Sequence, residues 1–168
     1  MATWAEISGV ELAASEAPDS ISFLPLLKNP EADPARTSMV VLGTRGNAYR
    51  EGPWKLLLCP GSGSAGRFAT IPDADTAWRA AIESFGRKPT NHAELEQPPF
   101  LQLFHLGDDP GETTNLAAEQ PERVESMITS LRTVLENGRS TPGPKLENGR
   151  EMKVFQPVPK FVWAKGKP

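Results

Sequence analysis

The chain has 168 residues, enough for one domain or one lobe of a larger protein and for a modest buried core. Its 17 prolines and 14 glycines, with only 38% hydrophobic residues, predict few regular elements and long connections. A net charge of −3 without a Lys/Arg cluster interleaved with aromatics excludes a nucleic-acid surface. The absence of a long apolar run argues against a membrane span, and Met1-Ala2-Thr3-Trp4-Ala5-Glu6 does not open a secretory leader, which leaves localisation unassigned. The single cysteine, Cys59, excludes an intrachain disulfide and says little about redox compartment.

Along the chain, Trp4 and Ile7 stand at helical spacing before Gly9, which predicts the end of a helix. Asp19-Ser20 precede the apolar Ile21–Leu27 patch, where Pro25 suits the first turn of a short helix. After the turn-rich Asn29–Pro34, Ser38–Leu42 reads as a strand. Asn47–Arg50 and Trp54–Leu58 flank Glu51-Gly52-Pro53 and predict a hairpin. A long excursion between Cys59 and Gln97 carries a glycine-serine loop and a weakly helical piece near Thr76–Phe85. Phe100–Leu106 alternates again and stops at the turn Gly107–Gly111, as a strand returning to the sheet would.

Val124, Met127, Ile128, Leu131, Val134 and Leu135 fall on one helical face, opened by Pro121 and closed by Gly138. The fold class expected is α+β: a small antiparallel sheet of about four strands packed against this amphipathic C-terminal helix, with long loops and an extended tail. Three segments are read: helices over 1–28, a subdomain over 29–138, and a Pro/Gly-rich tail over 139–168.

The titratable residues are too sparse for an unaided active site. His92 and His105 do not stand at metal-ligand spacing. Asp108-Asp109 supply too few oxygens for a calcium ion and suit the turn that ends at Gly111. Gly61–Gly66 lacks the Gly-Lys-Ser/Thr of a nucleotide-binding loop, and Ser62 and Ser64 lie outside a Gly-x-Ser-x-Gly context. Arg45, Arg50 and Lys55 are candidates to meet an anion, although solvated cations on strand faces are commoner. No catalytic residue and no metal ligand is assigned.

Two motifs carry a family resemblance. Leu103-Phe104-His105-Leu106 followed by Asp109-Pro110-Gly111-Glu112-Thr113-Thr114-Asn115-Leu116 resembles the closing signature of sulfatases, in which a strand leads through Asp-Pro-x-Glu-x-x-Asn-Leu into the terminal helix. Arg50-Glu51-Gly52-Pro53-Trp54-Lys55-Leu56 resembles the same family's Arg-x-Gly-x-Trp-Lys-Leu strand. Met1–Ile7 is similar to a family helix that follows the catalytic residues, so the resemblance runs over residues 1 to 145. The family is the arylsulfatase A-like sulfatases of the alkaline-phosphatase-like superfamily.

The resemblance implies a four-stranded antiparallel C-terminal subdomain that packs on a larger catalytic domain outside this chain, with residues 1–28 as helices from the junction. The parent enzyme would hydrolyse sulfate esters of a small molecule or glycan, using a formylglycine made from a Cys-x-Pro-x-Arg cysteine and a calcium ion. Cys59-Pro60-Gly61-Ser62-Gly63 does not match that motif, so neither group is carried over and the chain alone is expected to be inactive. Relatives carry a glycine-rich loop near the substrate after the Trp-Lys-Leu strand, which makes Ser62, Ser64 and Arg67 candidate substrate-rim residues. The alternative is a non-catalytic accessory module that pairs with a separate catalytic chain.

Overall fold

The computed structural model describes residues 1–61 and 74–165. Four strands form one antiparallel sheet in sequential order: β1 (Ser38–Val41), β2 (Ala48–Glu51), β3 (Trp54–Leu57) and β4 (Gln102–His105). With α1 (Ala2–Ser8), α2 (Leu24–Lys28), α3 (Ala74–Phe85) and α4 (Pro121–Asn137), the fold is the α+β class expected from the sequence.

The β2–β3 hairpin pairs Glu51 with Trp54 across a two-residue turn. Gly52 takes φ +54 there, a conformation that a side chain would strain, and Pro53 presets the next position. β3 and β4 meet with Leu56 opposite Leu103 and Trp54 opposite His105. The sheet therefore closes over the long excursion, as the renewed alternation at residue 100 predicts.

Helix α4 covers the sheet with Val124, Met127, Ile128 and Leu131, all buried. Val134 and Leu135, on the same periodic face, are only half-buried because they line open cavities beside Val40 of β1. Pro121 sits in the first turn and Gly138 ends the helix at φ +63, its N–H returning to the Leu135 carbonyl. Glycine is required at that position twice over, since a Cβ would also lie 2.4 Å from the Leu146 carbonyl oxygen.

A second layer is aromatic. Trp78 and Ala81 of α3 turn inward, and Phe100 stacks on Trp78 at 6.0 Å while meeting Phe85 edge-on at 4.9 Å. The segment after Arg139, expected as an extended tail, contains a single 3-10 turn (Lys160–Val162) as regular structure among its described residues. It straps back over the body: Phe155 and Val162 join the core, and Arg79 lies 4.5 Å over the Phe161 ring.

The N-terminal helices form a satellite outside this core. Thr3 Oγ1 accepts from the Phe23 N–H and Ser20 Oγ from the Ala2 N–H, which pins α1 to the segment before α2. Gly9 ends α1 in the left-handed conformation. The connection to the body is polar: the Ser140 N–H donates to Asp19, Thr141 Oγ1 to the Pro18 carbonyl, and Arg36 to the Asp19 carbonyl. Trp4, Ile7 and Leu27 remain exposed at 73%, 51% and 61%.

Candidate functional site

The two motifs come together at the β3–β4 end of the sheet. Lys55 Nζ lies 2.6 and 2.7 Å from the two carboxylate oxygens of Glu112, and both side chains are about a quarter to a third exposed. The register places Lys55 between Arg50 and Phe104, on the strand face over which the Asp109–Leu116 segment folds. A partly sheltered, charge-assisted pair thus bolts the segment leading to α4 onto the hairpin.

Each polar residue of that segment has a separate task. Asp109 accepts from the Thr113 and Thr114 N–H groups and from the Thr113 hydroxyl, at 2.7, 2.8 and 3.0 Å. These donors hold its carboxyl below the usual carboxylate range and commit it to the turn. Asn115 Oδ1 accepts from the Leu103 and Ala117 N–H groups, both at 3.0 Å, and so extends the hydrogen bonding of β4. Leu116 adds a main-chain bond back to Leu103.

His105 faces Trp54 across the strand pair, ring edge to face at 4.6 Å, while Arg123 covers the indole at 5.3 Å. Its Nδ1 lies 2.6 Å from Asp108 Oδ2 without hydrogen-bond alignment. His92 sits elsewhere, against Trp163 at 4.8 Å, and burial together with Lys153 lowers its pKa. Among the described residues no group of three or more His, Cys, Asp or Glu side chains is arranged to hold a metal ion.

Cys59 is fully buried, and loss of solvent pushes its thiol up to about 11. Such a thiol stays protonated and is a poor nucleophile. Gly46 packs its backbone on this sulfur: a Cβ there would stand 2.2 Å from Sγ.

Ser62, Ser64 and Arg67 lie outside the described residues. Just before them, Gln102 Nε2 donates to the Cys59 carbonyl at 3.1 Å and to the Gly61 carbonyl at 2.7 Å. Of the three cations considered as anion ligands, Arg50 and Lys55 are cross-strand neighbours, and each of the three has a partner within the chain. Lys55 is taken by Glu112, Arg45 stands 3.5 Å from Asp75, and Arg50 bonds its Nε to the Gly52 carbonyl. In the sequence Glu112 and Asn115 stand as motif letters with no task of their own, and Gln102 is marked only as a strand residue. The arrangement is a structural joint, and none of its described residues pairs a nucleophile with a base.

No model of a protein family matches the chain, and no curated protein matches it. Among solved structures, the chain is similar to a Bacteroides thetaiotaomicron sulfatase labelled 6S-sulf and described in connection with "metabolism of multiple glycosaminoglycans". The TM-score is 0.55 at 22% identity, covering 79% of this chain and 23% of that protein. The likeness is one of fold, and the chain spans less than a quarter of that protein's length.

Proposed function

We propose that this chain is the C-terminal region of a sulfatase whose parent enzyme hydrolyses sulfate esters in the arylsulfatase manner, acting on a sulfated small molecule or glycan. One observation carries the reading: the two sulfatase-like motifs are joined through the Lys55–Glu112 pair, whose members stand 57 positions apart. The fold likeness to part of a bacterial sulfatase is in keeping with it. In this reading the chain's own residues bind no sulfate-cleaving group. Lys55, Glu112, Asn115 and Gln102 hold a firm base from which Ser62, Ser64 and Arg67 reach the rim of a catalytic pocket built by other residues.

Hydrolysis of 4-nitrophenyl sulfate with added calcium tests the division of labour. The chain alone should give no turnover, and the chain joined to a sulfatase catalytic domain should be active. Turnover by the chain alone, lost on replacing His105, would place a complete site here and overturn the reading. For the rim, replacing Ser62, Ser64 and Arg67 by alanine in the joined enzyme should change substrate selectivity; unchanged selectivity would remove them.

A second reading, an accessory module that pairs with a separate catalytic chain, draws on the exposed Trp4, Ile7 and Leu27, an apolar surface suited to a protein partner. Recovery of activity on mixing separately purified chains would favour it; a requirement for covalent continuity would count against it.

A further inference from the structure

We infer that the free edge of β1 is a strand-addition site for an extended acidic peptide of a partner protein. The inference is independent of the sulfatase reading. Among the described residues β1 ends the sheet, with β2 as its sole strand neighbour. The Gly52 N–H donates to the Thr37 carbonyl, and this sets the phase of the ladder. Met39 and Val41 therefore turn their main-chain groups to Arg50 and Ala48 of β2, and Ser38 and Val40 turn theirs outward. Arg36 caps the Ser38 carbonyl, whereas among the described residues no hydrogen bond reaches the outward groups of Val40.

Beside this edge two adjoining cavities of about 450 and 370 Å³ lie on the Val40 face, and a third of about 440 Å³ lies on the Met39 and Arg50 face. Two of them share Val40, Leu135 and Met152 as an apolar floor. The rim is cationic on a chain whose net charge is −3: Arg36, Arg50, Arg139, Arg150 and Lys153 line it, against Asp19 alone among carboxylates. Arg36 and Arg139 donate to carbonyls and hydroxyls, so their charge is not neutralised by a carboxylate, and Lys153 meets only the exposed Glu151 at 3.8 Å. Unpaired main-chain groups call for a β-strand, the floor takes its alternate apolar side chains, and the rim selects acidic ones. A sulfated oligosaccharide would meet the charge but leave both the apolar floor and the strand edge unused.

The test uses a capped six-residue peptide alternating glutamate with valine, and its lysine counterpart, titrated into the full chain and followed by fluorescence anisotropy and amide chemical shifts. The glutamate peptide should bind saturably and shift the Val40 and Leu42 amides, and the lysine peptide should not. Val40→Pro removes an outward N–H without breaking a ladder bond and should weaken binding about tenfold or more with an unchanged circular-dichroism spectrum. Arg150→Glu with Lys153→Glu, both exposed, should weaken it about threefold or more and decides the matter alone if Val40→Pro disturbs folding. Equal binding of both peptides, no binding, a heparin-derived oligosaccharide taking the edge instead, or dimerisation of the chain abolished by Val40→Pro would each overturn the proposal.

Discussion

Lys55 and Glu112 lie 57 positions apart in sequence, yet Nζ reaches both carboxylate oxygens within 2.7 Å. Because the pair is about a quarter to a third exposed, its coupling is discounted for solvent to about 1 kcal/mol. A double-mutant cycle of Lys55→Met and Glu112→Gln, read by urea unfolding, should return that coupling. Each single change should lower the midpoint, and the double mutant should lose less than the sum.

Asn115→Ala should cost about 1–2 kcal/mol, since it strips the acceptor from two partly buried N–H groups, those of Leu103 and Ala117. Asn115→Asp, which keeps the acceptor oxygen, should recover most of the loss. Thermal unfolding of the pair of variants checks this, and equal losses would mean that the amide has another task.

Acid should loosen two exposed turns. Glu94 is held down to about 2 by Arg87 and by the Thr90 N–H, and Asp109 is held below its usual range by Thr113 and Thr114. A carboxyl with a depressed folded pKa stabilises above its unfolded value and loses that contribution as pH falls through the folded one. Stability should therefore decline as pH drops from about 4.5 toward 2. Glu94→Gln and Asp109→Asn should flatten the curve of melting temperature against pH over that range.

Gly46→Ala should destabilise by about 1–3 kcal/mol by driving a methyl into Cys59. Cys59→Ala should relieve part of that cost, because Sγ is the nearest obstacle at 2.2 Å and Cβ the next at 2.6 Å. In the unmodified chain, Ellman's reagent at pH 8 should label Cys59 only on unfolding; prompt labelling of the native protein would contradict its burial.

The exposed Trp4, Ile7 and Leu27 should promote self-association of the isolated chain. Glutamate at these three positions should shift size-exclusion elution toward the monomer. A monomer at high concentration without the substitutions would show that the satellite covers itself.

The strands and the main helix were legible from local signals: a strand-like run over Phe100–Leu106 that stops at a turn, a 3.6-residue face in Val124–Leu131, and a Gly52-Pro53 turn between two strand-like runs. The roles of Phe155 and Val162 in the core were not, because they stand in irregular chain whose burial follows from tertiary packing alone. The same holds at the joint. Its residues were visible as motif letters, but Glu112 acquires its partner only through the β3–β4 register and the turn that Asp109 organises. Likewise the polar ties from Asp19 and Arg36 to Ser140 span more than a hundred positions and leave no local trace.

Gln102 grips the carbonyls of Cys59 and Gly61, so the chain's departure from β3 and its arrival at β4 are clamped to each other. The clamp is separate from the packing of the span in between, whose Trp78, Ala81, Leu95 and Phe100 belong to the core. With the ends already held together, doubling the length of such a span adds only about 0.6 kcal/mol of closure entropy. The scaffold is in this respect a socket: residues inserted after Gly61 would leave the grip of Gln102, the strands and α4 in their places.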